Sequence, residues 1–130
     1  MVGIVHYSNF FKYMETAEHA FFRSLGMSIA GGGGEAVGWP RVHAECDYRR
    51  PLRFEDVVEV ELLVKERRER SLVYTFLIRK VTGEEREEVA RGGLVVACVR
   101  RDAATGAMRS VAIPGEIAAL IEPAPAELFA

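Results

Sequence analysis

Residues 3–26 read GIVHYSNFFKYMETAEHAFFRSLG, and this stretch decides the fold. Apolar side chains recur at helical spacing and form one stripe: Phe10, Met14, Ala17, Phe21 and Leu25. Polar side chains occupy the opposite side: Lys12, Glu15, Thr16, His19 and Arg23. Ser8 or Asn9 can cap the first turn, and Gly26 stands where a left-handed residue commonly ends a helix. The stretch therefore predicts an amphipathic helix whose wide apolar arc needs a broad surface to pack against.

Beyond the glycine run at 31–34, the apolar period changes from helical to alternating. Alternation predicts strands over residues 41–48, 58–64, 72–78, 89–101 and 108–113. Turns are expected at Thr82-Gly83 and around Gly106, and Pro114 is expected to begin a short helix that ends near Ile121. One long helix followed by an antiparallel meander is an α+β pattern in which the sheet wraps around the helix. Residues 1–122 are interpreted as one domain and residues 123–130 as a loosely packed tail.

Composition excludes several classes of function. The chain has 130 residues, 49% of them hydrophobic, and a formal net charge of -2, so it lacks the basic field of a nucleic-acid-binding protein. No apolar run approaches the roughly 18 residues of a membrane span. The start shows no charged segment followed by an apolar one, so no signal peptide is expected and the predicted location is the cytoplasm. Cys46 and Cys98 fall within predicted strands and are interpreted as small buried apolar residues.

The middle of the 89–101 strand, LVVACV, is apolar on both faces. A strand of this kind is covered on both faces, and the chain has only one long helix to cover one of them. We therefore expect a second copy of the protein against the face of residues 94–99 that points away from the helix.

Four motifs together resemble the 4-hydroxybenzoyl-CoA thioesterase group of the hotdog-fold superfamily. They are GIVHYSNFFKYME, DYRRPLRFEDVVEVE, ARGG before an apolar strand, and AIP before a short helix. The resemblance covers Gly3 to Ile121 and implies a hotdog α+β domain. It also implies hydrolysis of acyl-CoA or acyl-carrier thioesters, no metal or other cofactor, and assembly as a homodimer or homotetramer.

The resemblance places the oxyanion site at the entry to the helix. Thioester hydrolysis develops negative charge on the carbonyl oxygen, which the free amides of a helix N-terminus stabilise. The candidate donor is the backbone N–H of Tyr7, and Gly3 would allow a close approach of the substrate. The alternative is a tight turn before a buried helix. The family also carries a catalytic aspartate before this glycine, a position that would precede Met1, so we expect the coding sequence to continue upstream.

Without that aspartate, Glu15 is the best candidate for the catalytic carboxylate. It follows Tyr7 by eight residues, about 12 Å along a helix, and another branch of hotdog thioesterases has its carboxylate at similar spacing. Alternatively, Glu15 forms a surface pair with His19. His6 could orient water or the acyl group, or could simply be a packed or surface residue. A metal at Glu15 and His19 would need ligands from elsewhere, and none is expected.

For the CoA end, the resemblance points to the charged turn KERRERS at 65–71, with Arg68, Arg70 and Ser71 as nucleotide contacts. The alternative is a solvated turn. The function predicted from the sequence is therefore an acyl-CoA thioesterase. A non-catalytic binder of acyl thioesters or a structural dimer is the main alternative, and a hotdog dehydratase or hydratase fits less well. The phenylalanines at 10, 11, 21 and 22 are candidates for both the core and the acyl pocket.

Overall fold

The structure is a computed structural model that describes residues 9–26, 37–53 and 55–129. Helix α1 spans Asn9–Ser24, close to the predicted bounds. Gly26 has a φ of 77°, which confirms the expected left-handed residue after the helix. Ser8 as the cap and the glycine run at 31–34 lie outside the described residues.

A four-stranded antiparallel sheet packs against α1. Its strands are β1 (Arg41–Tyr48), β2 (Val57–Arg67), β3 (Ser71–Thr82) and β4 (Glu85–Ala97), arranged in the order β1-β4-β3-β2. Strands β2, β3 and β4 form consecutive hairpins, whereas β1 pairs with the distant β4. The predicted α+β class is confirmed. Burial alternates along the first half of β3 and the second half of β4, whereas nearly all residues of β1 are exposed.

The face of the sheet toward α1 supplies most of the core. Tyr74 and Phe76 of β3 are fully buried there, and Phe21 of α1 packs edge-on against the Tyr74 ring. Gly92 of β4 lies beneath Met14, and a Cβ added to it would be 2.2 Å from the Met14 sulfur. The missing side chain at Gly92 therefore allows α1 to lie close to the sheet.

The predicted strand over 89–101 is divided at Cys98. Its last residues form β5 (Val99–Arg101), which pairs with β6 (Met108–Ser110) in a separate two-stranded sheet. The turn contains Gly106 at a φ of 75°, as expected. Strand β6 and helix α2 (Gly115–Ala118) are both shorter than predicted. The Cys98 amide still donates to the Arg70 carbonyl in the register of β3 and β4, at 2.8 Å. The partners change after it, because the Cys98 carbonyl accepts the Val111 amide at 2.9 Å and the Val99 amide donates to the Gly38 carbonyl at 3.0 Å.

The tail at 123–130, predicted to be loosely packed, has no buried residue among 123–129, but its backbone is held by hydrogen bonds. A 3-10 helix spans Ala126–Phe129, and the Phe129 carbonyl accepts a hydrogen bond from Arg91 Nη1 at 2.7 Å. The Ala124 amide donates to the Val64 carbonyl at 2.8 Å. These residues lie over the sheet face opposite α1, because Gly92 faces the helix and its neighbour Arg91 points the other way. The chain itself thus covers part of this sheet face at Arg91.

Candidate functional site

The described part of the helix entry is fixed by core packing, and its first turn has no acidic side chain. Phe10 is buried and packs edge-on against Tyr48 of β1, with ring centroids 4.9 Å apart. The first turn of α1 carries no acidic side chain, so nothing on it neutralises the positive end of the helix dipole. Tyr7 and His6, the predicted oxyanion donor and orienting histidine, lie outside the described residues. The structure therefore shows the helix that follows the predicted oxyanion site.

Glu15 lies on the exposed side of α1. The alternative of a Glu15–His19 ion pair is not formed, and no described residue makes a hydrogen bond or ion pair with the Glu15 carboxylate. Its charge contributes to raising the pKa of Glu18 on the same helix, although less than burial does. Glu15 is therefore a solvent-accessible carboxylate without a fixed partner in this part of the chain.

The helix also carries an acidic residue in the core, which the sequence analysis did not single out. Glu18 is fully buried, and its Oε1 accepts a hydrogen bond from Arg41 Nη2 at 2.6 Å. Its Oε2 has no hydrogen-bond partner among the described residues. Burial raises the pKa of Glu18, and the nearby Arg41 charge opposes that rise. This ion pair ties α1 to the first residue of β1.

Tyr74 completes the buried polar group around this pair. Its hydroxyl has no hydrogen-bond partner among the described residues, and the residue is fully buried. Burial raises the pKa of the phenol, and the Glu18 charge raises it further, so the hydroxyl stays protonated. A signal for Glu18 was present in the sequence. It occupies the i+4 series Phe10, Met14, Glu18 and Phe22, whose members are all buried.

The four phenylalanines of α1 differ in how much of their surface is exposed. Phe10 and Phe22 belong to the core, with 3% and 0% of their surface exposed, and Phe21 is half-buried. Phe11 is 36% exposed. Among these residues, Phe11 is the one accessible to an acyl group or to another protein chain.

The predicted CoA contacts share one turn, but their side chains have different surroundings. Arg68 forms an ion pair with Glu66, with Nη2 and Oε2 2.7 Å apart. Arg70 reaches toward β6 instead, and its Nη1 lies 3.4 Å from the Ser110 carbonyl oxygen. Ser71 accepts a hydrogen bond through its backbone carbonyl from the Arg68 amide at 2.9 Å. Arg70 is therefore the more available cation of the two arginines.

A groove of about 590 Å³ lies on the sheet face opposite α1, between β1, β4 and the tail. Its wall combines acidic and basic side chains with Phe129: Glu45, Asp47, Lys65 and Arg91. Arg91 is already held by Glu88 Oε1 at 2.9 Å and by the Phe129 carbonyl. Arg91 in the wall of the groove therefore holds the tail in place. The groove lies on the opposite side of the sheet from α1.

No described cluster of three or more His, Cys, Asp or Glu side chains is arranged to hold a metal ion. The helices within the described ranges are all too short or too polar to cross a membrane. Cys46 is half-buried and Cys98 is buried, and both are free thiols. Burial raises the pKa of both thiols, so neither is poised as a nucleophile.

Comparison with known proteins gives a consistent result. The family model of the thioesterase superfamily matches residues 2–87. A protein of Aquifex aeolicus (strain VF5) called "Putative esterase" is 33% identical over 78 residues, which cover 60% of this chain and 61% of that protein. The match thus spans less than two thirds of the length of that relative.

Two solved structures are also similar. The gentisyl-coenzyme A thioesterase BH1999 is 25% identical, with 89% of this chain and 87% of that chain covered and a TM-score of 0.72. The 4-hydroxybenzoyl CoA thioesterase from Pseudomonas sp. strain CBS-3 is 21% identical, with coverage of 92% and 87% and a TM-score of 0.75. The second likeness concerns the fold alone.

Proposed function

Since the chain belongs to the thioesterase superfamily, we propose that it hydrolyses an acyl-CoA thioester to a free acid and CoA. Water adds to the thioester carbonyl carbon, the C–S bond breaks, and the sulfur leaves with a proton as the thiol of CoA. The observation that carries the proposal is the entry of α1, whose first turn has no acidic residue to oppose a developing oxyanion. The Tyr7 amide is the proposed oxyanion donor. His6, which precedes Tyr7 in the sequence, is the proposed residue that orients water or the acyl group.

Glu15 is the proposed general base within this chain, because its carboxylate is accessible and has no partner among the described residues. The same lack of a fixed partner favours a second candidate function, a protein that binds acyl thioesters without hydrolysing them.

We also propose that the chain belongs to the 4-hydroxybenzoyl-CoA group, on the motifs quoted above. A catalytic aspartate encoded upstream of Met1 and a cytoplasmic location stay predictions.

A thiol-release assay tests the proposal. We expect the purified protein to release CoA from at least one member of a panel of aromatic and aliphatic acyl-CoA substrates.

Changing Arg68 and Arg70 to alanine should raise KM for acyl-CoA, because phosphate contacts are lost, while KM for a pantetheine thioester of the same acyl group changes little. An equal effect on both substrates would contradict the proposed role of these arginines, and no release from any substrate would favour the binding protein.

We propose further that the protein is a homodimer or a larger homo-oligomer, and the open edge of β1 is the surface that supports this. Most residues of β1 are exposed, and on the described residues its only ladder is with β4. A strand edge that has no ladder partner among the described residues, as along residues 41–47, is a template for pairing with another chain. The outer face of residues 94–99 stays the second predicted surface.

Light scattering at micromolar concentration should therefore give a mass of at least twice 14.5 kDa. Val42→Lys should shift the protein toward the monomer, because a charge at a strand edge opposes edge pairing. Val57→Lys is the matched control, since Val57 of β2 is 62% exposed and Val42 is 61% exposed. A monomeric wild-type protein would contradict the proposal, and equal effects of the two variants would exclude the β1 edge.

A further inference from the structure

The groove on the sheet face opposite α1 has two walls of opposite charge. Glu45 and Asp47 of β1 stand on one wall, and Lys65 of β2 stands on the other. Because the strand order is β1-β4-β3-β2, three strand spacings, about 14 Å in total, separate β1 from β2. The volume of about 590 Å³ is in the range of sites that bind small molecules.

Lys65 owes its position to an irregularity of the sheet. The pairing of β2 with β3 shifts register between Val64 and Glu66, so Lys65 is an extra residue in the strand. Such a bulge redirects the side chain of the extra residue, and bulges are over-represented next to active sites. Lys65 is exposed and forms no ion pair with any described residue. Its ammonium group is therefore a cation available to a ligand.

Asp47 supplies the acidic wall with a carboxylate that no described residue neutralises. It lies directly opposite Arg91 in the register of β1 and β4, but Arg91 donates instead to Glu88 Oε1 and to the Phe129 carbonyl. Asp47 is exposed, and its side chain forms no ion pair within the described ranges. The charge of this carboxylate is therefore available to a cationic group of a ligand.

The floor between the two walls is uncharged and includes a residue without a side chain. Thr75 of β3 and Gly93 of β4 lie in register with Glu45. A Cβ added to Gly93 would be 3.0 Å from Glu45 Oε1, so the Glu45 carboxylate bends over the floor. Glu45 Oε2 lies 3.5 Å from His43 Nε2, and both of these side chains are mostly exposed. The missing side chain at Gly93 thus leaves the space that the Glu45 carboxylate reaches.

We propose that this groove binds a small zwitterion of dipeptide size, with its ammonium group at Glu45 and Asp47 and its carboxylate at Lys65. An extended dipeptide spans about 7 Å, so the side chains of both walls can reach its two charged ends. Phe129 lines the same groove and offers an aromatic ring to an apolar side chain of the ligand. The groove lies across the sheet from α1, so this site does not depend on the proposed hydrolysis.

Isothermal titration of the intact protein tests the site with glycyl-phenylalanine and two blocked forms of it. The N-acetyl form lacks the ammonium charge, and the C-terminal amide lacks the carboxylate. We expect each blocked form to have a Kd about tenfold or more above that of the unmodified dipeptide, since a charged hydrogen bond is lost. No binding of the dipeptide at about 10 mM, or an equal Kd for all three compounds, would overturn the proposal.

Substitutions test which wall holds which charge of the ligand. Lys65→Met should raise Kd for the dipeptide about tenfold but leave Kd for the amide unchanged, because the amide has no carboxylate to lose. Asp47→Asn should raise Kd for the dipeptide and leave Kd for the N-acetyl form unchanged. Lys12→Met, which removes an exposed lysine of α1, is the matched control and should bind like the wild type.

Two results with these variants would overturn the proposal. One is a loss of binding in Lys12→Met as large as that in Lys65→Met, or a loss in Lys65→Met that affects the dipeptide and its amide equally. The other is a change of mass in light scattering for Lys65→Met or Asp47→Asn, with dipeptide binding unaltered. That result would make the groove an interface between copies of the chain instead of a site for a small molecule.

Discussion

Replacing Arg41 with methionine is expected to lower the free energy of unfolding by about 3–5 kcal/mol at neutral pH, because Glu18 would keep a buried charge without a partner. The Glu18 carboxylate is fully buried and has only its Oε1 bound, by Arg41 at 2.6 Å. Urea denaturation followed by Trp39 fluorescence measures the loss, since Trp39 is 5% exposed in the native core.

Two variants serve as controls for this result. Arg49→Met removes an arginine that pairs with Glu88 at 2.9 Å on a half-exposed surface, and it should cost at most about 1 kcal/mol. Adding Glu18→Gln to Arg41→Met removes the unpaired charge and should restore part of the lost stability. If Arg41→Met loses no more free energy of unfolding than Arg49→Met, then Glu18 does not keep a buried charge without a partner.

The dependence on pH follows from the direction of the Glu18 pKa. Burial raises this pKa above its ordinary value of 4.5, and Arg41 limits the rise. A raised native pKa favours the folded protein below 4.5, and this contribution is lost as pH rises through the native pKa. Removing Arg41 raises the pKa further, so the deficit of Arg41→Met should shrink in acid and grow toward alkaline pH. A deficit that is constant with pH would contradict the assignment to Glu18.

Local patterns predicted α1, β3 and β4 because each of them buries one face, and alternation also located β1, although its residues are nearly all exposed. Alternation identified β1 to β4, and the glycines at 26, 83 and 106 marked turns that indeed have positive φ. The pairing of β1 with β4 was not readable from these patterns, since it joins segments more than forty residues apart, as in Cys46 opposite Gly92. The hydrogen bonds of the tail could not be predicted either, because Phe129 and Ala124 are held through backbone groups, which leave no side-chain pattern.

The candidate site was predictable only where the signal was local or matched a family motif. The motifs gave the thioesterase superfamily, which the family model confirms over residues 2–87, while the 4-hydroxybenzoyl-CoA group stays a proposal. Glu18 escaped attention because a charged side chain suggests a solvated position, while its partner Arg41 is 23 residues away. Tyr7 and His6 stay predictions, because they lie outside the described residues.

Replacing Glu15 with glutamine is expected to lower kcat for acyl-CoA hydrolysis by about 10²–10⁴, the usual contribution of a general base, with KM changed little. Glu15 is exposed, so its loss should alter stability by no more than about 0.5 kcal/mol and the fall in rate cannot come from unfolding. Glu116→Gln, an exposed carboxylate on α2, is the control and should keep the wild-type rate. The measurement is initial thiol release at saturating substrate.

If the reading frame continues upstream of Met1, the same assay on the extended protein locates the base. If Glu15 is the general base, Glu15→Gln should remove activity from both the 130-residue chain and the extended protein. A much faster extended protein that tolerates Glu15→Gln would move the base to the upstream aspartate that the family resemblance implies, because a second carboxylate would then accept the proton from water. Activity absent from both forms, with acyl-CoA still bound, would contradict hydrolysis and leave thioester binding as the function that the helix entry serves.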